Sequence, residues 1–431
     1  MTVIFRTLGM FRSTALRSEG SRRAPSLILF ALLSFFALSS SSCLVRQLGG
    51  AFEHEPEELE TQASPEAKAL IEQAFEGIDP KRLVDFHVHI VGIGTGDSGA
   101  WVNPNTRAGL HKERIAFWVY MSAAGIKNIQ TADQEYVARL TRLARSSNRG
   151  GKYRILAFDK YYKPDASVDL QKTNFYMPNE EVFKIAQANP DIFEPVISVH
   201  PYRVDAVAEL EKWARRGAKI VKWLPNAMGI DPSSPQLDSF YRKMKEHKMI
   251  LLSHAGEEQA VNAEEDQKLG NPLRLRRALD HGVRVIVAHA ASLGECEDLD
   301  SAEKSVKSCF DLFMRMIDEQ KYEGLLFADI SAMTQFNRMP VPFTTLLRRK
   351  SLHHRLVNGS DYPLPAINVL IHTRSLARDG FITPEERRAL NEIYDYNPLL
   401  FDFVLKRTVR DPVSKETLSP SIFMMNPGLE N

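Results

Sequence analysis

The chain has 431 residues, of which 44% are hydrophobic and 25% charged, an ordinary globular composition with room for one large domain or two small ones. Its 55 lysines and arginines against 54 acids leave a formal net charge of +1, so no global field draws in nucleic acid or an acidic membrane. No repeat of about 20–50 residues stands out, which argues against a solenoid or propeller.

The N-terminus is a different material. Residues 1–25 carry Arg6, Arg12, Arg17, Arg22 and Arg23 against one acid, Glu19, and lead into the apolar run "SLILFALLSFFAL" from Ser26 to Leu38. A helix that crosses a bilayer needs about 20 apolar residues. The run is shorter and reads as the h-region of a secretory signal behind a basic n-region. "SSSSC" follows, ending at Cys43, and resembles a bacterial lipoprotein processing site, with Ser40 where a leucine is usual. The expectation is a leader over 1–43 and export, either to the periplasm or to a lipid anchor on Cys43 at a bacterial membrane. The alternative is a plain cleaved signal or a short anchor. Residues 44–80, with "EHEPEELE" and Pro65, read as a polar linker into a short helix. The other two cysteines, Cys296 and Cys309, either pair in an oxidising compartment or stay free. The lack of any CxxC argues against a thiolate zinc site.

From residue 83 onward short apolar runs alternate with longer amphipathic segments. The runs span 83–90, 153–159, 193–200, 218–224, 249–255, 283–290, 324–331 and 354–361. Near-continuous Val, Ile and Leu suit parallel strands buried on both faces. Residues 205–218 carry a 3.6-residue apolar period and end near Gly217; 234–248 open on Ser-Pro; 271–282 repeat the scheme. Eight strand–helix units predict an α/β fold, a (β/α)8 TIM barrel over residues 81–410, with an extended N-terminal segment and C-terminal helices. A doubly wound open sheet is the structural alternative, but no GxGxxG follows the first strand. Residues 391–407 read as one closing helix on the barrel's base or side, and 411–431 as a C-terminal tail.

In a barrel enzyme the site lies at the carboxyl ends of the strands. The first run ends in His87 and His89, the third in His200, the fifth in His254, the sixth in His289 and the eighth in Asp361, while the fourth carries Lys222. Strict alternation puts Asp85, His87 and His89 on one inward face. Taken singly, each histidine reads as a hydrogen-bonded core residue and the aspartate as a helix cap. Taken together, they would be several polar groups buried independently at equivalent strand ends. A divalent ion gathers them for one reason, and imidazole with carboxylate suits zinc or a similar metal.

The set "DFHVH", "SHAGE", "VAHAAS" and "NGSDYP", with "AKIVKWLPNAMGIDPSSP" as fourth strand and loop, resembles the amidohydrolase superfamily, in particular its amidohydrolase-related hydrolases and decarboxylases. The resemblance covers about residues 80–405. It implies His87, His89 and His254 as imidazole ligands and Asp361 as a carboxylate that touches both the metal and its water. The metal lowers the pKa of that water towards about 7, and Asp361 takes its proton. His289 polarises the substrate or moves a proton. Asp85 is expected to be a structural hydrogen-bonder. Lys222 sets the metal count. In some members a strand-four lysine is carboxylated and bridges two metals, whereas an unmodified ammonium has no lone pair to offer. One zinc is favoured, with Lys222 as an anchor for a substrate anion or an ion-pair partner. With carboxylation His289 becomes a ligand of a second metal. His200, Arg203, Trp223 and Arg338 are candidate substrate contacts; each arginine suits a substrate carboxylate, or else is simply solvated.

Two insertions shape the expected pocket: the glycine-rich loop from Gly92 to Pro104, read as a mobile lid, and residues 160–180, whose aromatics either cover the substrate or bury themselves on the rim. The implied function is a metal-dependent hydrolase in which metal-bound hydroxide attacks an ester, lactone, amide or related bond of a small molecule. Two alternatives stay open: non-oxidative decarboxylation of an aromatic or unsaturated acid, and a catalytically inactive surface binding protein. A homodimer is expected on base rates alone.

Overall fold

In the computed structural model, residues 48–50, 53–108, 112–147 and 149–430 are described, so the leader expected over 1–43 lies outside them. Eight short strands coincide with the eight apolar runs: β1 (Val84–His89), β2 (Lys152–Leu156), β3 (Phe193–Val196), β4 (Ile220–Trp223), β5 (Ile250–His254), β6 (Arg284–Ala288), β7 (Leu326–Asp329) and β8 (Leu356–Val357). Parallel ladders join β1 to β3 and β4 to β8 in sequence order. The bridges Ile197–Val221 and Val88–Tyr362 close the two ladders on each other. The result is the (β/α)8 TIM barrel.

Alternation along the strands builds two apolar layers. Val84, Phe86, Leu156, Ile220, Leu252, Ile286 and Phe327 fill the interior, and Leu429 from the C-terminal tail joins them at the base. Their neighbours face outward onto the helices. Those helices include α1 (Pro65–Phe75), α2 (Lys112–Ala123), α3 (Ala132–Ser146), α4 (Ala206–Arg215), α5 (Pro384–Tyr396) and α6 (Pro398–Thr408). The closing helix expected over 391–407 is two helices. Pro398 cannot continue α5, and the extended Asn397 before it accepts from the Leu399 and Leu400 amides, capping α6.

Strand β1 departs from strict alternation. The ladder slips between Asp85 and Val88, so Phe86 and His87 both face inward and Asp85 is turned to the layer between barrel and helices. Asp85 therefore does not share a face with His87 and His89. Its Oδ1 accepts from the amides of His87 and Ser360, each at 3.0 Å, and ties the ends of β1 and β8 together. Burial pushes its carboxyl up to about 6.

Behind this pair lies a buried ion pair. The Lys406 ammonium on α6 donates to Asp402 and, at 2.7 Å, to the carbonyl of Gly359, which fixes the turn leading to Asp361. Gly359 itself has no room for a side chain, because its Cβ would lie 2.7 Å from the Cβ of His87. Replacing Lys406 with methionine leaves the Asp402 carboxylate buried and unpaired, so urea unfolding is expected to show a loss of about 3–5 kcal/mol.

Among the described residues no helix is long and apolar enough to cross a membrane. Cys296 and Cys309 form a disulfide that ties the ribbon 295–297/306–308 to the helix that starts at Cys309.

Candidate active site

The carboxyl ends of β1, β4, β5, β6, β7 and the turn after β8 meet at one mouth of the barrel. His87 is held from behind: its Nδ1 lies 2.9 Å from Asp329 Oδ2 on β7. A carboxylate only accepts, so Nδ1–H donates and Nε2 keeps its lone pair. That Nε2 lies 3.2 Å from His89 Nε2, 3.4 Å from Asp361 Oδ1 and 3.1 Å from Lys222 Nζ. His89 Nε2 is 3.1 Å from the same Asp361 oxygen. On the other side His289 Nε2 stands 3.8 Å from Asp361 Oδ2. One ligand atom each from His87, His289 and Asp361 fall within 4.8 Å of one another.

His254 completes the ring of imidazoles, its centroid 5.4 Å from that of His289. Its Nδ1 faces Glu258 Oε2 at 3.6 Å, and its Nε2 is buried with no partner. A buried polar atom without a partner costs free energy unless something binds it.

The backbone is strained where the site needs it. His289, Ala290 and Ala291 adopt φ values of 55°, 50° and 51°, and Asp361 one of 59°. Left-handed non-glycine residues cost about 1–3 kcal/mol each and persist only when their surroundings over-determine them. Here the His289 amide donates to Asp329 Oδ1 at 2.8 Å and the Asp361 amide to the His87 carbonyl at 2.7 Å.

Electrostatics prepare these groups to bind a cation. Burial, reinforced by the Lys222 ammonium, lowers the His87 imidazole; burial pulls His254 down to about 4 and His289 well below its ordinary value. All three are therefore neutral at pH 7, the form that ligates metals. Burial opposes ionisation of Asp361, but positive charge on the ring of imidazoles, whenever His87, His289 or His89 is protonated, together with the hydrogen bond from His89, holds its carboxyl well below the usual range. Burial draws the Lys222 ammonium down to about 8. Clustered neutral imidazoles, an ionised carboxylate and an orphaned buried nitrogen fit a divalent ion such as zinc.

A cavity of about 540 Å³ opens above this floor. A family model described as amidohydrolase matches residues 84–307, from β1 to the ribbon after β6. The chain belongs to the amidohydrolase family. Members of that family usually hold a divalent metal, and this amidohydrolase carries a His-His-Asp cluster where one would bind. No curated protein matches its sequence significantly. Among solved structures it is similar to a TIM-barrel protein from Bordetella bronchiseptica, at 15% identity and a TM-score of 0.44, covering 72% of this chain and 99% of that one. It is also similar to a 5-carboxyvanillate decarboxylase from Sphingomonas paucimobilis, at 11% and 0.42, covering 72% and 96%. A third is an N-isopropylammelide isopropylaminohydrolase from Burkholderia multivorans, at 16% and 0.36, covering 68% and 70%. Likenesses this low leave the substrate open.

Four candidate contacts of the amidohydrolase lie off the cavity. Trp223 follows Lys222 on β4 and so points outward, packing on Phe240 and Tyr241 with its Nε1 donating to the Val199 carbonyl. Arg203 is spent on Asp159 and Asp205. Arg338 is buried behind the site and donates to Ser292 Oγ at 2.8 Å; it does not border the cavity. His200 is wholly buried, its Nδ1 accepting from the Tyr202 amide and its Nε2 donating to the Met228 carbonyl.

Both nitrogens of a neutral His200 are thus used, and burial pushes its pKa down to about 3. The unfolded value is about 6.5, so between these two limits the unfolded chain binds a proton that the folded chain refuses. Stability therefore falls as pH drops through that window, by up to about 1.4 kcal/mol per unit for this group. Urea unfolding at pH 6, 5 and 4 is expected to show a shallower acid slope for His200→Gln than for the parent.

The glycine-rich loop is tied to the rim by hydrogen bonds in this conformation. The amides of Ile93 and Gly94 donate to the Asp133 carboxylate at 2.7 and 3.0 Å, joined by Ser98 Oγ at 2.5 Å. Trp101–Val102 also pairs with Phe175–Tyr176 of the second insertion. That insertion splits its aromatics: Tyr161 and Phe175 border the cavity, while Tyr162 packs on His200 and Tyr176 lies under the Lys160 ammonium.

Three residues of the site were not legible as such. Asp329 sits inside an apolar run and Ser331 ends it, yet the first holds His87 and the second meets His289 Nδ1 through Oγ at 2.8 Å. Glu258 stands one residue past "SHAGE"; its spacing of four from His254 was the available signal.

Proposed function

We propose that this amidohydrolase is a zinc-dependent hydrolase of esters, lactones or amides. The observation that carries the reading is the convergence of His87 Nε2, His89 Nε2 and Asp361 Oδ1 within 3.1–3.4 Å, beside the unpartnered Nε2 of His254. His87, His89, His254 and Asp361 would hold one cation, with His289 and Lys222 placed for a second if Lys222 is carboxylated. When bound, the cation supplies Lewis acidity, polarising a carbonyl and acidifying water.

The rest falls to the chain. Asp361, ionised at pH 7, accepts a proton at the free face of its carboxylate and returns it to the leaving group. His289, its Nδ1 facing the Ser331 carbonyl at 3.1 Å, presents Nε2 towards Asp361 and the substrate's developing charge. Asp329 holds His87 in the required tautomer. Lys222 Nζ favours a second reading, decarboxylation, because a cation at the floor suits a substrate carboxylate.

Metal analysis with an ester, lactone and carboxylate panel tests both readings. Hydrolysis lost on chelation and restored by zinc supports the first, and carbon dioxide release the second. Two metal equivalents per chain would assign Lys222 the bridging role. Full activity in a metal-free protein would remove the mechanism. We also infer export: the Cys296–Cys309 disulfide supports an oxidising compartment, and fractionation with fatty-acid labelling of Cys43 tests it.

A further inference from the structure

This inference rests on the hydrolase reading and concerns what is cleaved. The cavity, at about 540 Å³, holds far more than a reacting carbonyl; sites of about 300–1,000 Å³ take drug-sized ligands. Its imidazoles, Lys222 and Asp361 gather at the floor. Above them the wall is apolar: Phe117 and Met121 from α2, Phe158 after β2, Phe175 from the second insertion, Val261 after β5 and Leu364 after β8.

Cross-links between these segments hold the wall in place. Phe158 and Phe175 stack with centroids 4.1 Å apart. The Tyr120 hydroxyl donates to the Ala260 carbonyl at 3.3 Å. The Asn174 side chain donates to the Asn262 carbonyl at 2.8 Å and accepts from its amide at 3.0 Å. A ligand entering such a wall need not order it, so apolar burial goes into affinity rather than into loop ordering.

Charge at the mouth adds a second constraint. Glu113, Asp169, Glu265 and Asp266 border the cavity. Among the described residues its lysines are Lys222 at the floor and Lys172, which pairs with Glu265 at 2.7 Å and Asp266 at 3.8 Å, while Lys163 beside the rim pairs with Asp169 at 3.4 Å, so the acids of the mouth are offset only in part. A carboxylate at the far end of a substrate would meet a mouth with more acids than lysines, and among the described residues no guanidinium borders the cavity to receive it. We propose that the substrate is a neutral ester, lactone or amide carrying a bulky apolar group and no distal negative charge.

The test uses the full-length chain in detergent with zinc. Two matched sets are compared: phenyl acetate, phenyl hexanoate and monophenyl adipate as substrates, and the uncleavable ketones octan-2-one and 7-oxooctanoate by calorimetry. Phenyl hexanoate is expected to exceed both other esters in kcat/KM by at least about ten-fold, and octan-2-one to bind at least about ten-fold more tightly than 7-oxooctanoate. Equal or reversed binding of the ketones overturns the proposal whatever the esters do. Ketone discrimination without cleavage of any ester upholds the apolar site and removes the hydrolase reading instead. Val261→Lys, on the partly exposed wall loop, is expected to raise the adipate-to-hexanoate ratio about ten-fold; an unchanged ratio in a folded variant overturns the proposal.

Discussion

Alanine at His87 is expected to lower turnover by about three orders of magnitude, the scale seen when a group that stabilises developing charge is removed, and to reduce bound metal in the same protein. The reasoning is geometric. His87 Nε2 is the atom that lies near all of His89, Asp361 and Lys222, at 3.1–3.4 Å. Removing it takes away the shared vertex. Asp361→Ala is expected to match it in turnover, because on the proposed reading that residue would combine a ligand oxygen with the proton acceptor. The two variants differ in fold stability. Asp361→Ala keeps the left-handed φ of 59° and its backbone bond to the His87 carbonyl but puts alanine where aspartate is better tolerated, whereas His87→Ala leaves Asp329 buried without its imidazole partner. Circular dichroism and metal analysis on each variant separate a lost ligand from a lost fold. Activity retained by a folded His87→Ala protein would refute the assignment.

The barrel was legible because its strands are nearly continuous apolar runs, a pattern that survives without knowledge of tertiary contacts. The convergence of these side chains was legible because histidines and an aspartate fall at equivalent strand ends. What the sequence hides is the pleat of β1. Period-two counting assigns Asp85 inward, but one bulged residue reverses everything N-terminal to it, and nothing in "LVDFHVH" marks where the extra residue goes. Period two does recover Trp223: once Lys222 faces the axis its neighbour faces out. Arg203 and His200 follow a strand end that reads like the others, yet each is consumed locally by Asp159, Asp205, Tyr202 and Met228. Such competition between nearby partners has no signature in residue type. The break at Asn397-Pro398 was readable from proline chemistry and was masked by the apolar period running through it.

Asp329 carries the second large effect, and two variants divide it. Its Oδ2 accepts from His87 Nδ1 at 2.9 Å, while Oδ1 accepts from the amides of His289 and Ser331 at 2.8 and 3.1 Å and from the Ser331 hydroxyl. The flanking imidazoles of His87 and His289 outweigh burial and keep its carboxyl below its ordinary value, so it stays ionised. Asp329→Ala strips acceptors from several buried donors at once and is expected to lose about 3–5 kcal/mol of stability along with activity. Asp329→Asn keeps one oxygen for the backbone amides, so the strained turn at His289 survives. Its amide nitrogen, however, now donates to His87 Nδ1 and forces the imidazole proton onto Nε2, pointing it into the site where a lone pair is needed. The folded Asn variant is therefore expected to bind zinc about 10–100-fold more weakly, and its unfolding free energy in the metal-free state should fall much less than that of the Ala variant. Equal zinc affinity for parent and Asp329→Asn would mean that His87 does not meet the cation through Nε2, and the orientation assigned to every other group in the ring would have to be redrawn from that point.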